Sequence, residues 1–425
     1  MLTDLLSAFD ALPKPASFKL STAPVRRVLE ALGRPQDKMP PVIHVAGTNG
    51  KGSTTAFMRA IAEAHGLKVH VDTSPHLISV NERIRIAGKL ISDEALRSYA
   101  ERVLEANGGE PISFFEGITC CAYLAFSETP ADLTLIEVGL GGRFDSTNVF
   151  DHPAVSVITP IDYDHKEFLG RHICQIAWEK GGIIKSGSPV VSAPQHSEVA
   201  RTLKAEARVR KSDISFLNPS DISFGEAGTL SAKLGDVSIE DMPLGLEGPH
   251  QAGNASLAIM ALQASGVFEL KDEALRAGLA KVSWPARLQP LGEGDVTRAL
   301  PGKTVLVDGG HNPHAARAIS KALAPHAPVP AIIAMLSVKD AKSYLSEMAS
   351  SLGHVAIIPM PGDRKGHDPE ALAEVAREIG LSASAYQSFD DALARIAQEK
   401  SDHALICGSL YLAGDVLARN GEVIS

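Results

Sequence analysis

The chain has 425 residues, of which 44% are hydrophobic and 21% are charged, a composition that fits a globular protein and excludes a disordered or fibrous one. A single core usually stops growing at about 250–300 residues, so the length predicts two domains. The 41 lysines and arginines against 50 aspartates and glutamates give a net charge of −9, which argues against a nucleic-acid partner. The four cysteines lack C-x-x-C spacing, and no window approaches about 18 consecutive apolar residues, so we expect a cytoplasmic protein without disulfides or membrane contact.

The first half of the sequence alternates between short apolar runs and amphipathic stretches. The β-branched run at 41–47 leads through a glycine-rich turn into a segment with helical spacing. Further strands are predicted at 68–74, 131–142, 154–161 and 189–194, and helices at 92–106, 115–128, 172–181 and 196–208. This alternation predicts a doubly wound, mostly parallel α/β sheet of the P-loop type.

A change of pattern follows at 212–246, where short alternating pieces predict a small antiparallel β addition. A second strand–helix series begins at 304 and predicts a smaller, Rossmann-like α/β domain, with one helix opened by Asp368 and Pro369. We therefore expect a first domain over 1–288, a linker over 289–300, and a smaller C-terminal domain over 301–425.

The segment between the first strand and the first helix is a candidate phosphate loop. It reads Gly47, Thr48, Asn49, Gly50, Lys51, Gly52 and Ser53, a variant of the Walker A spacing. The glycines permit close backbone approach, the lysine supplies a charge for phosphates, and a hydroxyl can face a magnesium ion. The alternative is an ordinary glycine-rich turn with a solvated lysine, and the context favours ATP or GTP.

Further motifs occur in a fixed order between about residues 18 and 415. They are VIHVAGTNGKGS at 42–53, SPHL at 74–77, ERIR at 82–85, SFFE at 113–116, EVGLGGRFDSTN at 137–148, DH at 164–165, EKGGIIK at 179–185, HQAGNA at 250–255, PAR at 285–287, DGGHNP at 308–313 and CGSLY at 407–411. As an ordered set they resemble the folylpolyglutamate synthases and dihydrofolate synthases, which are related to the Mur ligases. The chain departs from that pattern in LSTAPVR at 20–26, and at Ala286 and Gly310, where the family commonly has glycine and alanine.

The resemblance implies roles for individual residues. It implies ATP and two Mg²⁺ ions as cofactors, with Lys51, Lys180 and His165 as catalytic residues and a carbamate on Lys180. It places Mg²⁺ on Ser53, Ser74, Glu137 and His165. From the residues alone, Glu137 could be a solvated carboxylate at a strand end, and His165 a structural histidine, because Mg²⁺ prefers oxygen ligands.

The resemblance also implies the substrate contacts. It places the pteroate among Ser113, Phe114, Phe115, Glu116, Phe144, Asp145 and Ser146. It assigns ATP, between the two domains, to the phosphate loop with Asn254, Arg287, Asp308 and His311. From the residues alone, Glu116 and Asp145 could instead form loop-packing salt bridges. Asn254, Arg287 and Asp308 could be a helix-surface amide, a linker ion pair and a turn-forming aspartate.

The implied activity is ATP-dependent ligation of L-glutamate to dihydropteroate and to reduced folates through an acyl phosphate, by a protein expected to be a monomer. Three alternatives stay open: folylpolyglutamate synthesis alone, a Mur-type amino-acid ligase, and a regulatory P-loop NTPase. Only 46 residues precede the loop, fewer than the nucleotide-sugar domain of Mur-type enzymes would need. A regulatory NTPase would leave the SFFE and HNP segments unexplained.

Overall fold

The structure is a computed structural model that describes residue 9 and residues 21–225 and 228–424. It divides into two compact units. The first unit runs to Leu244 and includes Ala252–Val282, and the second consists of Gly245–Gln251 and Ser283–Ile424. No helix in these described ranges combines the length and the apolar character needed to cross a membrane.

An eight-stranded sheet organises the first unit. Its strands are β1 (Val42–Ala46), β2 (Val69–Asp72), β3 (Ile84–Ile86), β4 (Lys89–Leu90), β5 (Leu133–Glu137), β6 (Val155–Ile158), β7 (Val190–Ser192) and β8 (Ile214–Phe216). They lie in the order β4-β3-β2-β5-β1-β6-β7-β8, and all neighbours from β2 to β8 are parallel. The predicted doubly wound sheet is confirmed, and its inner strands are buried throughout.

Helices cover both faces of this sheet. They are α1 (Ala23–Ala31), α2 (Lys51–Ala64), α3 (Asp93–Asn107), α4 (Phe114–Glu128), α5 (Lys166–Leu169), α6 (Ile173–Lys180), α7 (Ser197–Val209), α8 (His250–Ser265) and α9 (Asp272–Lys281). One core contains Val28, Leu96 and Phe126 from α1, α3 and α4. Another contains Ile176 and Leu203 from α6 and α7. The apolar faces that the periodicity indicated are thus buried against the sheet.

The segment at 212–246 differs in part from the expectation. The strands β9 (Ile222–Phe224), β10 (Thr229–Leu234) and β11 (Val237–Pro243) form the expected antiparallel sheet. The strand β8, however, pairs in parallel with β7 and extends the large sheet instead. Its short alternating pattern shows that it is a strand but carries no information about which edge it pairs with.

A six-stranded sheet organises the second unit. Its strands are β12 (Gln289–Pro290), β13 (Thr304–Val307), β14 (Val329–Ile333), β15 (Leu352–Ile357), β16 (Ala383–Ala385) and β17 (His403–Cys407), in the order β12-β13-β17-β14-β15-β16. Its helices are α10 (Asp295–Ala299), α11 (Pro313–Leu323), α12 (Ala341–Met348), α13 (Pro369–Glu378), α14 (Phe389–Ala397) and α15 (Leu410–Arg419). All strand neighbours except β12 and β13 are parallel, which confirms the Rossmann-like expectation.

Two local features of this unit bear on the sequence predictions. The Asp368 side chain accepts from the Ala371 N–H at the start of α13, as the N-cap prediction required. The segment 289–300, which we expected to be a linker, instead contains β12 and α10, and β12 pairs with β13. Its proline and glycine content suggested a connection, but backbone pairing makes it an edge of the second sheet.

Candidate functional site

The phosphate loop follows β1 and opens α2. Gly47 has a φ of +152°, and a β-carbon there would overlap the Thr159 hydroxyl. Gly50 has a φ of +84°, and a β-carbon there would lie 2.5 Å from Asn254 Oδ1. Both positions therefore require glycine for backbone and steric reasons. Asn254, a predicted ATP-binding residue, therefore packs against Gly50 of the phosphate loop.

The lysine of the loop folds back over it. Lys51 Nζ lies 3.3 Å from both the Gly47 and the Thr48 carbonyl oxygens. It also lies 4.0 Å from Glu137 Oε1. The Ser53 side chain is buried in the first helical turn. A cation, a helix N-terminus and a hydroxyl are thus held together, which is an arrangement suited to binding phosphate.

A second lysine reaches the same loop from α6. Lys180 Nζ donates to the Gly47 carbonyl at 2.8 Å, and the side chain is buried. Burial, reinforced by repulsion from Lys51, lowers the pKa of Lys180 from 10.5 to about 7. The structure thus unites two of the predicted catalytic residues, although 133 positions separate Lys180 from Gly47.

Buried carboxylates lie at the carboxyl ends of β2 and β5. Glu137 ends β5 and pairs with Val45 of β1. Asp72 ends β2, and burial raises its pKa well above the usual value, with Arg83 opposing and Asp145 and Glu137 adding to that rise. Asp72 lies outside the motifs that indicated the other candidate residues. The available signal was an acidic residue at the end of a buried strand, at the sheet edge where α/β folds place ligands.

The predicted magnesium ligands include one residue in an uncommon backbone conformation. His165 precedes α5 with a φ of +49°, and its ring nitrogens lie 3.9 Å from Asp164 and Glu167 carboxylate oxygens. Ser74 follows β2 and is partly exposed. A non-glycine residue in the left-handed region is costly and often marks a functional site.

The side chains near the loop include oxygen donors suited to Mg²⁺. The Glu137 carboxylate and the Ser53 hydroxyl are hard oxygen donors of the kind this ion prefers, so the chemistry of the set fits. Among the residues that the structure describes, no group of three or more histidine, cysteine, aspartate or glutamate side chains is arranged to hold a metal. A magnesium site here would therefore depend on hydroxyl, phosphate and water oxygens besides Glu137.

The SFFE segment forms the start of α4. Ser113 Oγ accepts from the Glu116 N–H, and the Glu116 carboxylate accepts from the Ser113 N–H at 2.6 Å. These two polar side chains therefore form a capping box. The Arg83 guanidinium carbon lies 5.7 Å from the Phe114 ring centre and 6.0 Å from that of Phe115. The rings and the guanidinium form a surface on which a flat heterocycle can stack.

The glycine-rich segment at 139–148 is organised by Asp145. Its carboxylate accepts from the Leu140 N–H at 2.8 Å, the Thr147 N–H at 3.0 Å and the Thr147 hydroxyl at 2.5 Å. Ser146 is buried, whereas Phe144 is 41% exposed. Asp145 therefore holds the shape of the segment, and the exposed Phe144 ring is available to a ligand.

Three predicted ATP contacts lie together in the second unit. Asp308 follows β13, is buried, and accepts from the Leu288 N–H at 2.9 Å and the Gly310 N–H at 2.6 Å. Arg287 donates to the Ala286 carbonyl, and His311 Nδ1 lies 3.0 Å from the Gly309 carbonyl. Burial raises the pKa of Asp308, and Arg287 opposes that rise.

Two of the three departures from the family pattern, Ala286 and Gly310, lie beside these residues. Ala286 has a φ of +56°, a conformation that explains why glycine is common at this position. A β-carbon on Gly310 would lie 2.8 Å from Asp308 Oδ1 and from Ile319 Cδ1. An alanine at position 310 would therefore fit in this chain only after a small shift of the neighbouring side chains.

A P-loop α/β unit with one lysine in the loop and a second lysine reaching it from α6, followed by a Rossmann-like unit, is the architecture of an ATP-dependent ligase. The Mur ligase middle domain matches residues 45–262. The Mur ligase glutamate ligase domain matches residues 287–410. The first match contains the eight-stranded sheet except the start of β1, and the second contains the whole six-stranded sheet. Together they account for most of the chain.

Similar proteins and solved structures show to which branch of the Mur ligase family the chain belongs. The dihydrofolate synthase/folylpolyglutamate synthase of Bacillus subtilis (strain 168) is 34% identical over 419 residues, which cover 93% of this chain and 94% of that protein. The Mycobacterium tuberculosis folylpolyglutamate synthase complexed with ADP and AMPPCP has a TM-score of 0.88 at 30% identity, covering 100% of this chain and 99% of that one. A bifunctional folylpolyglutamate synthase/dihydrofolate synthase with Mn, AMPPNP and L-glutamate bound has a TM-score of 0.84 at 30% identity, covering 98% of this chain and 97% of that one. The chain belongs to the Mur ligase family, in its folylpolyglutamate synthase/dihydrofolate synthase branch.

Proposed function

We propose that this protein uses ATP and Mg²⁺ to join L-glutamate to dihydropteroate and, in a second reaction, to reduced folates. The observation that carries the proposal is the convergence of Lys51 and Lys180 on the Gly47 carbonyl, beside the buried Glu137. The Lys51 cation at a helix N-terminus, with the Lys180 amine beside it, forms a site for a polyphosphate. The name of the Bacillus relative and the nucleotides and glutamate bound to the structural relatives support this assignment.

The chemistry begins with a carboxylate, which is a poor electrophile. Its oxygen attacks the γ-phosphorus of ATP, so that ADP leaves and an acyl phosphate forms. The glutamate amine then attacks the acyl carbon, phosphate leaves from the tetrahedral intermediate, and the amine proton is released. Lys51 and the N–H groups of the loop balance the phosphate charge in this scheme.

Magnesium, when bound, supplies further neutralisation of the phosphate oxygens. Glu137 and Ser53 would hold it, and the family resemblance adds Ser74 and His165 as ligands. The same resemblance supports Asn254, Arg287, Asp308 and His311 as ATP contacts. A monomeric state and a cytoplasmic location also remain our predictions.

We further propose that Lys180 reacts with carbon dioxide to form a carbamate. Only a neutral amine attacks carbon dioxide, and at pH 7.5 an ordinary lysine is neutral in about one molecule in a thousand. Burial and Lys51 lower the pKa of Lys180 to about 7, so most molecules present a neutral amine at that pH. The amine nitrogen bonds to the carbon, releases its proton, and yields an anion beside the Lys51 ammonium.

Activity measurements test the carbamate. Lys180→Ala should lose most activity, and formate or acetate should restore part of it by supplying the missing anionic group. Lys51→Ala is the matched control, because it lacks a cation and should not respond to added carboxylate. Full activity in Lys180→Ala, or equal rescue of both variants, would refute the carbamate.

Glutamate-dependent ADP release tests the activity itself. We expect release with dihydropteroate and also with a reduced monoglutamyl folate, and none without glutamate. If glutamate-dependent release occurs with the reduced folate but not with dihydropteroate, the function is folylpolyglutamate synthesis only. ADP formation that is independent of glutamate would indicate a regulatory NTPase and refute the proposal.

A further inference from the structure

A buried hydrogen-bond chain runs from β1 to the glycine-rich segment at 139–148. His44 lies in β1, three residues before Gly47, and its side chain is fully buried. Its Nε2 lies 2.9 Å from Thr147 Oγ1. That hydroxyl lies 2.5 Å from Asp145 Oδ1, and Asp145 Oδ2 accepts from the Leu140 N–H at 2.8 Å. The strand that leads into the phosphate loop is thus connected to the segment that carries the predicted pteroate contacts.

The hydrogen bonds of this chain have a single direction. Asp145 accepts backbone N–H bonds at both carboxylate oxygens, so the Thr147 hydroxyl donates its only proton to Asp145. The hydroxyl can then only accept from His44, which places the ring proton on Nε2. His44 Nδ1 has no hydrogen-bond partner, and burial lowers the His44 pKa to about 3. The imidazole therefore remains a neutral donor at neutral pH.

The backbone of Thr147 is held separately. The Tyr123 hydroxyl donates to the Thr147 carbonyl at 3.0 Å. The backbone position of Thr147 therefore does not depend on the hydrogen bond with His44. What His44 determines is the orientation of the Thr147 hydroxyl. That orientation in turn determines whether Asp145 keeps the geometry that bonds Leu140.

We infer that His44 is a positioning residue for the pteroate substrate, acting through Thr147 and Asp145 on the 139–148 segment. This inference rests on the proposed function, since that function gives the segment its substrate. His44 itself touches no reacting group. Its effect should therefore appear in the Michaelis constant for the pterin substrate, while nucleotide binding is preserved.

Matched variants of the full-length protein test the relay. His44→Phe keeps a flat buried ring without a donor, and Thr147→Val keeps the shape without the hydroxyl. Either should raise KM for dihydropteroate about tenfold, as expected for losing one buried hydrogen bond, with KM for ATP changed less than twofold. The double variant should be no worse than the poorer single variant, because the two residues act in series.

Two further variants are the controls. Thr147→Ser retains the hydroxyl and should restore most of the dihydropteroate affinity. Thr134→Val changes a fully buried threonine of β5 whose hydroxyl has no hydrogen-bond partner, and it should leave both Michaelis constants unchanged. Equal increases in both constants, or Thr147→Ser behaving like Thr147→Val, would overturn the relay.

Hydrogen exchange of the peptide that spans 139–148 tests the same relay without any substrate. It should be faster in His44→Phe and Thr147→Val than in the wild type, and unchanged in Thr134→Val. Unchanged exchange in the first two variants refutes the relay. A wild-type protein inactive with dihydropteroate refutes the proposed function instead, so the two failures are distinguishable.

Discussion

Replacing Lys180 with methionine removes a buried amine while keeping an unbranched side chain of similar length. The drop in the Lys180 pKa from 10.5 to about 7 corresponds to roughly 5 kcal/mol of preference for the neutral form. Between pH 7 and 10.5 the unfolded chain binds more protons at this position than the folded chain. The stability of the wild type therefore rises with pH across that window, and the methionine variant lacks this contribution.

The same pKa values give the size of the effect. The wild type bears a protonation penalty of roughly 4 kcal/mol at pH 7 and roughly 2 kcal/mol at pH 9. Losing the hydrogen bond from Lys180 to Gly47 offsets about 1 kcal/mol of the gain at both pH values. Lys180→Met should therefore be the more stable protein at pH 7, and its advantage should shrink by about 2 kcal/mol at pH 9.

Urea unfolding in buffers free of carbon dioxide measures this difference at the two pH values. Lys68→Met, at an exposed lysine, is the matched control. Added bicarbonate at pH 8 should reduce the advantage of Lys180→Met, because the carbamate replaces a mostly neutral amine with an anion attracted to the Lys51 ammonium. A stability difference that is the same at pH 7 and pH 9 would show that the Lys180 amine is not desolvated, and would remove the basis for the carbamate.

Two further predictions concern the nucleotide. Lys51→Ala should reduce turnover by at least a hundredfold, because a developing phosphate charge loses its partner in a site with little water, which costs several kcal/mol; steady-state ADP release checks it, and a near-normal rate would contradict it. Arg287→Ala should raise KM for ATP with an unchanged melting temperature. Asp308→Ala should raise KM for ATP and also cost about 1–3 kcal/mol of stability, because two buried N–H groups lose their acceptor; thermal unfolding separates the two variants, and equal melting temperatures would refute the structural role of Asp308.

Much of the architecture could be predicted because it is encoded locally. The phosphate loop is one contiguous stretch from Gly47 to Ser53, so its glycines, lysine and hydroxyls can be recognised together. The alternation of strands and helices follows from periodicity, and the Asp368 cap follows from residue type. The order of the motifs was enough to identify the ligase branch that the relatives confirm.

Other features depend on segments that meet only in the folded chain. No local pattern indicates that β8 joins the large sheet, because the pairing partner of a short strand is set by the edge that remains available. The same holds for Lys180, whose amine meets the loop only because α6 packs beside β1, and that burial is what lowers its pKa.

The buried polar groups make the clearest contrast. In the sequence His44 is the single polar residue of β1, and Asp72 shares the short strand β2 with His70; such positions would usually be structural. Only the fold places Asp72 near Asp145 and Glu137, and aligns the His44 ring with a hydroxyl that is 103 positions away along the chain. The amino-acid sequence by itself determined the loop, the strand and helix types and the family. The tertiary structure decided which buried groups interact, because hydrogen bonds and desolvation depend on distances between residues that are remote in the chain.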